Sequence, residues 1–117
     1  MALKDLTKAL SSPEQAYHYA LEIIKGRWPE AEQVIAQDVE YAYWYAHNII
    51  KGRFPQGEAV VAQDARYAYY YAYDIIRGRF PQGEAVIAQD HKLALAYYKR
   101  FQNQFTEREQ VFWLLKI

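Results

Sequence analysis

Cysteine is absent from this chain of 117 residues. That excludes disulfides, thiolate metal ligands and thiol nucleophiles together, and it suits a reducing compartment. A net field is missing too. Lys+Arg and Asp+Glu number 14 each, so no overall charge draws the protein toward nucleic acid or an anionic membrane surface. No apolar run approaches the roughly 20 residues of a membrane span. The opening MALKDLTKAL carries scattered charges and no apolar signal core. A soluble, cytoplasmic protein is expected. No Gly-rich phosphate loop or nucleophile motif is present, and the three histidines fall in unrelated registers. The expectation is therefore no enzyme activity, no metal and no cofactor.

What the chain has is repetition and tyrosine. KGRFPQGEAVVAQD at 51–64 returns as RGRFPQGEAVIAQD at 77–90, and KGRWPEAEQVIAQD precedes both at 25–38. Aligned on itself, the chain has a period of 26 residues: segment 39–64 matches 65–90 at 19 positions, and 13–38 matches 39–64 at 16. Such self-similarity marks a repeat architecture in which each unit buries its face against its neighbours. The organisation expected is one domain over 1–117. It has an N-terminal cap (1–12), repeats at 13–38, 39–64 and 65–90, and a degenerate fourth copy with a C-terminal helix (91–117).

Each repeat reads as two helices. Ser12, Asp38, Asp64 and Asp90 stand where an N-cap belongs, and Pro13 suits the first helical position. The first helices should span about 13–25, 39–51 and 65–77, with Gly26, Gly52 and Gly78 closing them in a left-handed conformation. Pro29, Pro55 and Pro81 open a shorter second helix, which Gly57 and Gly83 weaken toward 3₁₀ geometry. Strand is the competing reading of YAYWYAHNII because of its aromatic and β-branched content; the caps and alanines favour helix. At the ends, Leu3, Leu6 and Leu10 share a helical face, and TEREQVFWLLKI opens on the capping box Thr106-x-x-Glu109. The fold class expected is all-α: two-helix repeats stacked as a compact α-solenoid between terminal capping helices.

Comparison of the copies separates two faces on a wheel of about 100° per residue. Constant positions are Ala16/Ala42/Ala68, Tyr17/Tyr43/Tyr69, Tyr19/Tyr45/Tyr71, Ala20/Ala46/Ala72, Ile23/Ile49/Ile75 and Ile24/Ile50/Ile76. These should be core. Variable positions lie opposite and carry His18, Trp44, His47, Tyr70 and Tyr73, with Lys51 and Arg77 at the helix end. A merely solvated face would be Lys, Glu and Gln. Trp, Tyr and Arg instead dominate binding interfaces, and the surface that differs between repeats is commonly the one that binds. These seven residues are the candidate partner-binding set, and packing under neighbouring elements is the competing reading. A protein partner is expected; the alternative is nucleic acid or a nucleotide held by the Arg27/Arg53/Arg79 and tyrosine ladders. Against it, Glu32, Glu58 and Glu84 follow each arginine by five residues, as scaffold ion pairs would require. The apolar Val111–Ile117 segment offers a surface for oligomerisation.

EYAYWYAHNIIKGRFPQGEAVVAQD and QAYHYALEIIKGRWPEAEQVIAQD resemble a tandem repeat of tailed-phage and giant-virus gene products, of pattern YAxxVIxGRWPEAExxIAxDPxxA. The resemblance covers about residues 13–98. The chain departs from the pattern at Phe54 and Phe80, where Trp28 keeps the tryptophan, and at Val39, Ala65 and His91, where a proline would follow the aspartate. The two-helix plan is also similar to short α/3₁₀ solenoids such as the leucine-rich variant repeat. The phage resemblance implies a small modulator that binds a host or antiviral-defence protein in the host cytoplasm, or sequesters a small signal molecule. It supplies no catalytic residues.

Overall fold

The structure, a computed structural model, describes residues 3–117, with side chains from Asp5 onward. The described residues form helices joined by turns, without strands. They form two compact units, Met1–Val61 and Ala62–Ile117.

In the first unit, α1 (Leu3–Ala9) precedes α2 (Pro13–Tyr19), which continues into a π-helical segment, Ala20–Ile24. A 3₁₀ turn (Pro29–Ala31) leads into α3 (Glu32–Ile35). Then α4 (Val39–Trp44) continues into a second π segment, Tyr45–Ile50, and α5 (Pro55–Val61) closes the unit. The second unit repeats the order: α6 (Ala65–Tyr70) with π segment Tyr71–Ile76, a 3₁₀ turn (Pro81–Gly83) and α7 (Glu84–Ile87). It ends in α8 (His91–Phe101), a 3₁₀ turn (Gln102–Gln104) and α9 (Glu107–Leu114).

The starts follow the caps. Ser12, Asp38, Asp64 and Asp90 each accept the backbone N–H three residues on, at 3.1, 3.0, 2.9 and 3.0 Å. Thr106 and Glu109 complete the reciprocal capping box. The second helices begin in 3₁₀ geometry at Pro29 and Pro81, but the one at Pro55 is α-helical from its first residue despite Gly57, so the glycine does not decide the geometry.

The helix ends differ from expectation. Lys25, Lys51 and Arg77 occupy the left-handed region at φ 60°, 60° and 59°, and no glycine does. The cause is the π turn. Lys25 N–H bonds Ala20 C=O at 2.7 Å, five residues back, and Gly26 N–H shares that carbonyl at 3.3 Å. Ala46 and Ala72 receive the same pair of donors. Closing on an i−5 carbonyl moves the reversal one residue earlier, onto the cationic residue.

The π turn also breaks the wheel. The alanines of the constant set, Ala16, Ala20, Ala42, Ala46, Ala68 and Ala72, are fully buried, as are Tyr45 and Tyr71. The isoleucines are not: Ile23 is 59% exposed, Ile24 is exposed, and Ile49, Ile50, Ile75 and Ile76 are only partly covered. A residue beyond a widened turn no longer advances by the α-helical angle, so these side chains rotate off the core stripe. Leu10 is also exposed, with Ala9 taking the buried place on α1; the Leu3 side chain lies outside the described residues.

Within the first unit, α2 packs on α3 and α4, and α5 on α3 and α4. Gly57 permits that approach, because a Cβ there would stand 2.7 Å from the Phe54 ring and 3.0 Å from Ala42 Cβ. In the second unit Gly83 is equally confined, 2.8 Å from Ala68 Cβ. The first repeat solves the same corner with Trp28 and Ala31, both buried.

Candidate functional site

The most repeated motif, the Gly-Arg-aromatic-Pro corner, has a structural task. Arg27 Nε and Nη2 donate to Glu32 at 3.0 and 3.1 Å. Arg53 and Arg79 grip Glu58 and Glu84 in the same fork at 2.8–2.9 Å. A buried carboxylate needs such pairing. The next first helix completes it: Tyr45 O–H donates to Glu32 at 2.7 Å and accepts Trp28 N–H at 2.8 Å. In the second unit Tyr97 donates to Glu84 at 2.6 Å and accepts Phe80 N–H at 2.8 Å. Burial, reinforced by Glu32, pushes the Tyr45 hydroxyl up to about 12. Burial and Glu84 raise Tyr97 further. Burial works against Glu32 ionising, but the hydrogen bonds from Arg27 and Tyr45 outweigh it and hold Glu32 below its usual range. The constant positions of the sequence include Tyr45 without assigning it this bond, and Tyr97 lies beyond the three repeats compared. The constant Arg-to-Tyr spacing of 18 residues was the signal.

The variable positions sit elsewhere. In the first unit His18 is exposed, its ring 5.3 Å from Tyr17 and 6.1 Å from Tyr41. Its i, i+4 neighbour Glu22 stands at a loose 3.9 Å. His18 also forms part of the wall of an open groove of about 510 Å³, with Lys8, Tyr19 and Ile23. Trp44 is half-buried against Tyr43 and His47, at 5.0 and 5.7 Å. His47 is exposed, stacks on Tyr43 at 5.7 Å, and shares a 2.9 Å hydrogen bond with Asn48. Asn48 in turn donates to Tyr17 O–H at 2.9 Å. Lys51 is exposed at the left-handed helix end.

In the second unit Tyr70 and Tyr73 are 37% and 44% exposed. Tyr69 lies against both, at 6.2 and 5.9 Å. The Arg100 guanidinium, from α8, stands 5.2 Å over the Tyr73 ring, a contact that no spacing in the repeats announces. Arg77 mirrors Lys51, exposed and left-handed. His18, Trp44, His47 and Lys51 thus belong to the first unit, and Tyr70, Tyr73 and Arg77 to the second.

At the end of the second unit Trp113 is buried, 5.0 Å from Tyr97 and stacked on Phe105 at 5.7 Å. Glu109 anchors α9 by a second fork on Arg79, at 3.2 and 3.0 Å, while the Phe105 ring lies 4.4 Å beneath that guanidinium. Arg79 and the Thr106 backbone N–H hold Glu109 below the usual carboxylate range. Val111, Phe112, Leu114, Leu115 and Ile117 stay exposed, Leu115 at 80%.

Among the described residues no cluster of three or more His, Cys, Asp or Glu is placed to hold a metal, and no helix is long and apolar enough to cross a membrane. No protein-family model matches the sequence, and neither curated proteins nor solved structures give a significant match.

Proposed function

We propose that the protein is a non-enzymatic α-repeat binding module that engages a protein partner through its variable aromatic positions. The observation that carries this reading is the exposure of aromatic and imidazole rings at positions where the copies differ. The alanines identical in every copy are fully buried, whereas His18, His47, Tyr70 and Tyr73, where the copies differ, are exposed. Selection for stacking alone gives no reason to place aromatic and imidazole rings on a solvated face. His47 and Tyr73 also lie on π segments, a geometry often found at functional sites.

The recurrence of cap, π turn and corner supports reading the chain as an array of two-helix units stacked as a short α-solenoid with capping ends. The phage-type resemblance gives the partner class: a host or defence protein, met in the host cytoplasm. The nucleic-acid alternative has less support, because Arg27, Arg53 and Arg79 are each committed to a glutamate.

The test is capture of a partner from host extract by the tagged wild-type chain and by a His47→Ala, Tyr70→Ala, Tyr73→Ala variant. The reading requires a protein retained by the first and lost by the second, at unchanged melting. Retention by both removes the aromatic positions from the binding surface.

A further inference from the structure

Among the described residues, the large apolar side chains left exposed gather in two places, Tyr70 and Tyr73 aside. The first unit exposes Leu10, Leu21, Ile23 and Ile24. The second exposes Val111, Phe112, Leu114, Leu115 and Ile117, on α9 and just after it. Exposed apolar residues clustered in this way mark interaction sites, whereas singly scattered ones do not.

The first cluster is an edge that the repeats cover elsewhere. Ile23 and Ile24 recur as Ile49 and Ile50 in the second copy. There they are partly covered, and the π segment that carries them packs on the π segment Ala20–Ile24. Ahead of the first copy stands α1, which packs on α2. It leaves Ile23 exposed along the open groove that Asp5, Lys8 and Glu22 also line.

Charge divides the same way. Residues 1–61 hold six Lys or Arg and eight Asp or Glu, and residues 62–117 hold eight and six. The neutral chain is therefore an acidic half followed by a basic one. Around the first edge Asp5, Glu14 and Glu22 are exposed against Lys8 and Lys25. Around α9 Arg108 and Lys116 are exposed against Glu107, while Glu109 is engaged by Arg79. The Lys116 ammonium lies 5.2 Å over the Phe112 ring, at the α9 cluster itself.

We infer that both edges serve a second copy of this chain, with α9 of one molecule seated on the 21–24 edge of the next. Apolar burial drives the contact, and opposite charge sets which edge meets which. A symmetric pairing of α9 with α9 would set like charges together, so the contact is head-to-tail. It goes beyond the partner-binding reading and uses none of His47, Tyr70 and Tyr73.

Sedimentation equilibrium of the full chain tests it, with two double variants. Leu21→Arg with Ile23→Arg blocks one edge, and Phe112→Glu with Leu115→Glu blocks the other. All four side chains are exposed, and circular dichroism checks that each variant stays helical. If the first variant loses helicity, Ile23→Arg alone takes its place. Expected is a wild-type mass that rises with concentration above the monomer's 13.8 kDa, and self-association at least tenfold weaker in each variant. Mixed, the two variants should form a one-to-one complex, because each keeps the edge that the other lacks. A monomeric wild type, a first-edge variant that associates like wild type, or a mixture that stays monomeric overturns the inference. So does a monomeric chain that binds phosphatidylserine-containing vesicles through Phe112 and Leu115, which would assign α9 to a membrane surface.

Discussion

Tyr45 and Glu32 lie 13 residues apart and share a 2.7 Å hydrogen bond that joins the first helix of one repeat to the corner of the repeat before it. The same hydroxyl accepts Trp28 N–H, so one side chain satisfies a buried carboxylate and a buried amide together. Tyr45→Phe leaves both without that partner. An unsatisfied buried group costs about 1–3 kcal/mol, and the loss should appear as a lower urea midpoint. Tyr73→Phe, at an exposed ring, should change the midpoint by no more than about 0.5 kcal/mol.

The same pair sets the pH response. Tyr45 titrates at about 12 in the fold against an ordinary 10.0. Its contribution is therefore complete below pH 10 and is lost as pH rises toward 12. Glu32 is shifted the other way, below its ordinary 4.5. Its contribution is present above that value and is lost as pH falls through the lowered one. Thermal melts across pH should thus decline at both ends. Tyr45→Phe should flatten the alkaline decline, and Glu32→Gln the acid one.

Three cationic residues bear left-handed backbone with a glycine immediately following. A side chain in that region costs about 1–2 kcal/mol, which glycine avoids. Lys51→Gly should therefore raise the melting temperature, net of glycine's greater unfolded entropy. Gly52→Ala should have little steric effect, since the nearest atom to a Cβ there is Ile50 Cγ2 at 3.9 Å.

Gly57→Ala should do the reverse. Its Cβ would meet Phe54 at 2.7 Å and Ala42 at 3.0 Å, an overpacking worth about 1–3 kcal/mol. Adding Phe54→Trp rebuilds the Trp28/Ala31 combination and should recover part of the loss. A double-mutant cycle by urea unfolding reads the coupling.

Much of the architecture was legible in single residues. The aspartate caps, the Thr106–Glu109 box and the Arg–Glu spacing of five are local, and local chemistry fixes them. The π turn was not legible. Its signal is a hydrogen bond to the i−5 carbonyl of Ala20, Ala46 or Ala72, and an alanine there looks the same in an α-helix. That one change moved the left-handed residue from glycine to Lys25, Lys51 and Arg77, and turned the isoleucines off the core. Of the candidate site, the exposure of Tyr70 and Tyr73 could be read from disagreement between copies. The contact between Arg100 and Tyr73 could not, because it joins helices with no shared pattern.

The central claim is that the buried alanines, tyrosines and corner residues shared by the copies build the fold, and that the exposed rings where the copies differ engage a partner. Urea unfolding of the His47→Ala, Tyr70→Ala, Tyr73→Ala variant beside Tyr45→Phe tests it most directly. The account predicts that the three exposed changes together cost no more than about 1.5 kcal/mol, with an unchanged slope. Tyr45→Phe, which removes a single hydroxyl, should cost as much or more. A triple variant that loses cooperative unfolding, or falls well below Tyr45→Phe, would contradict it.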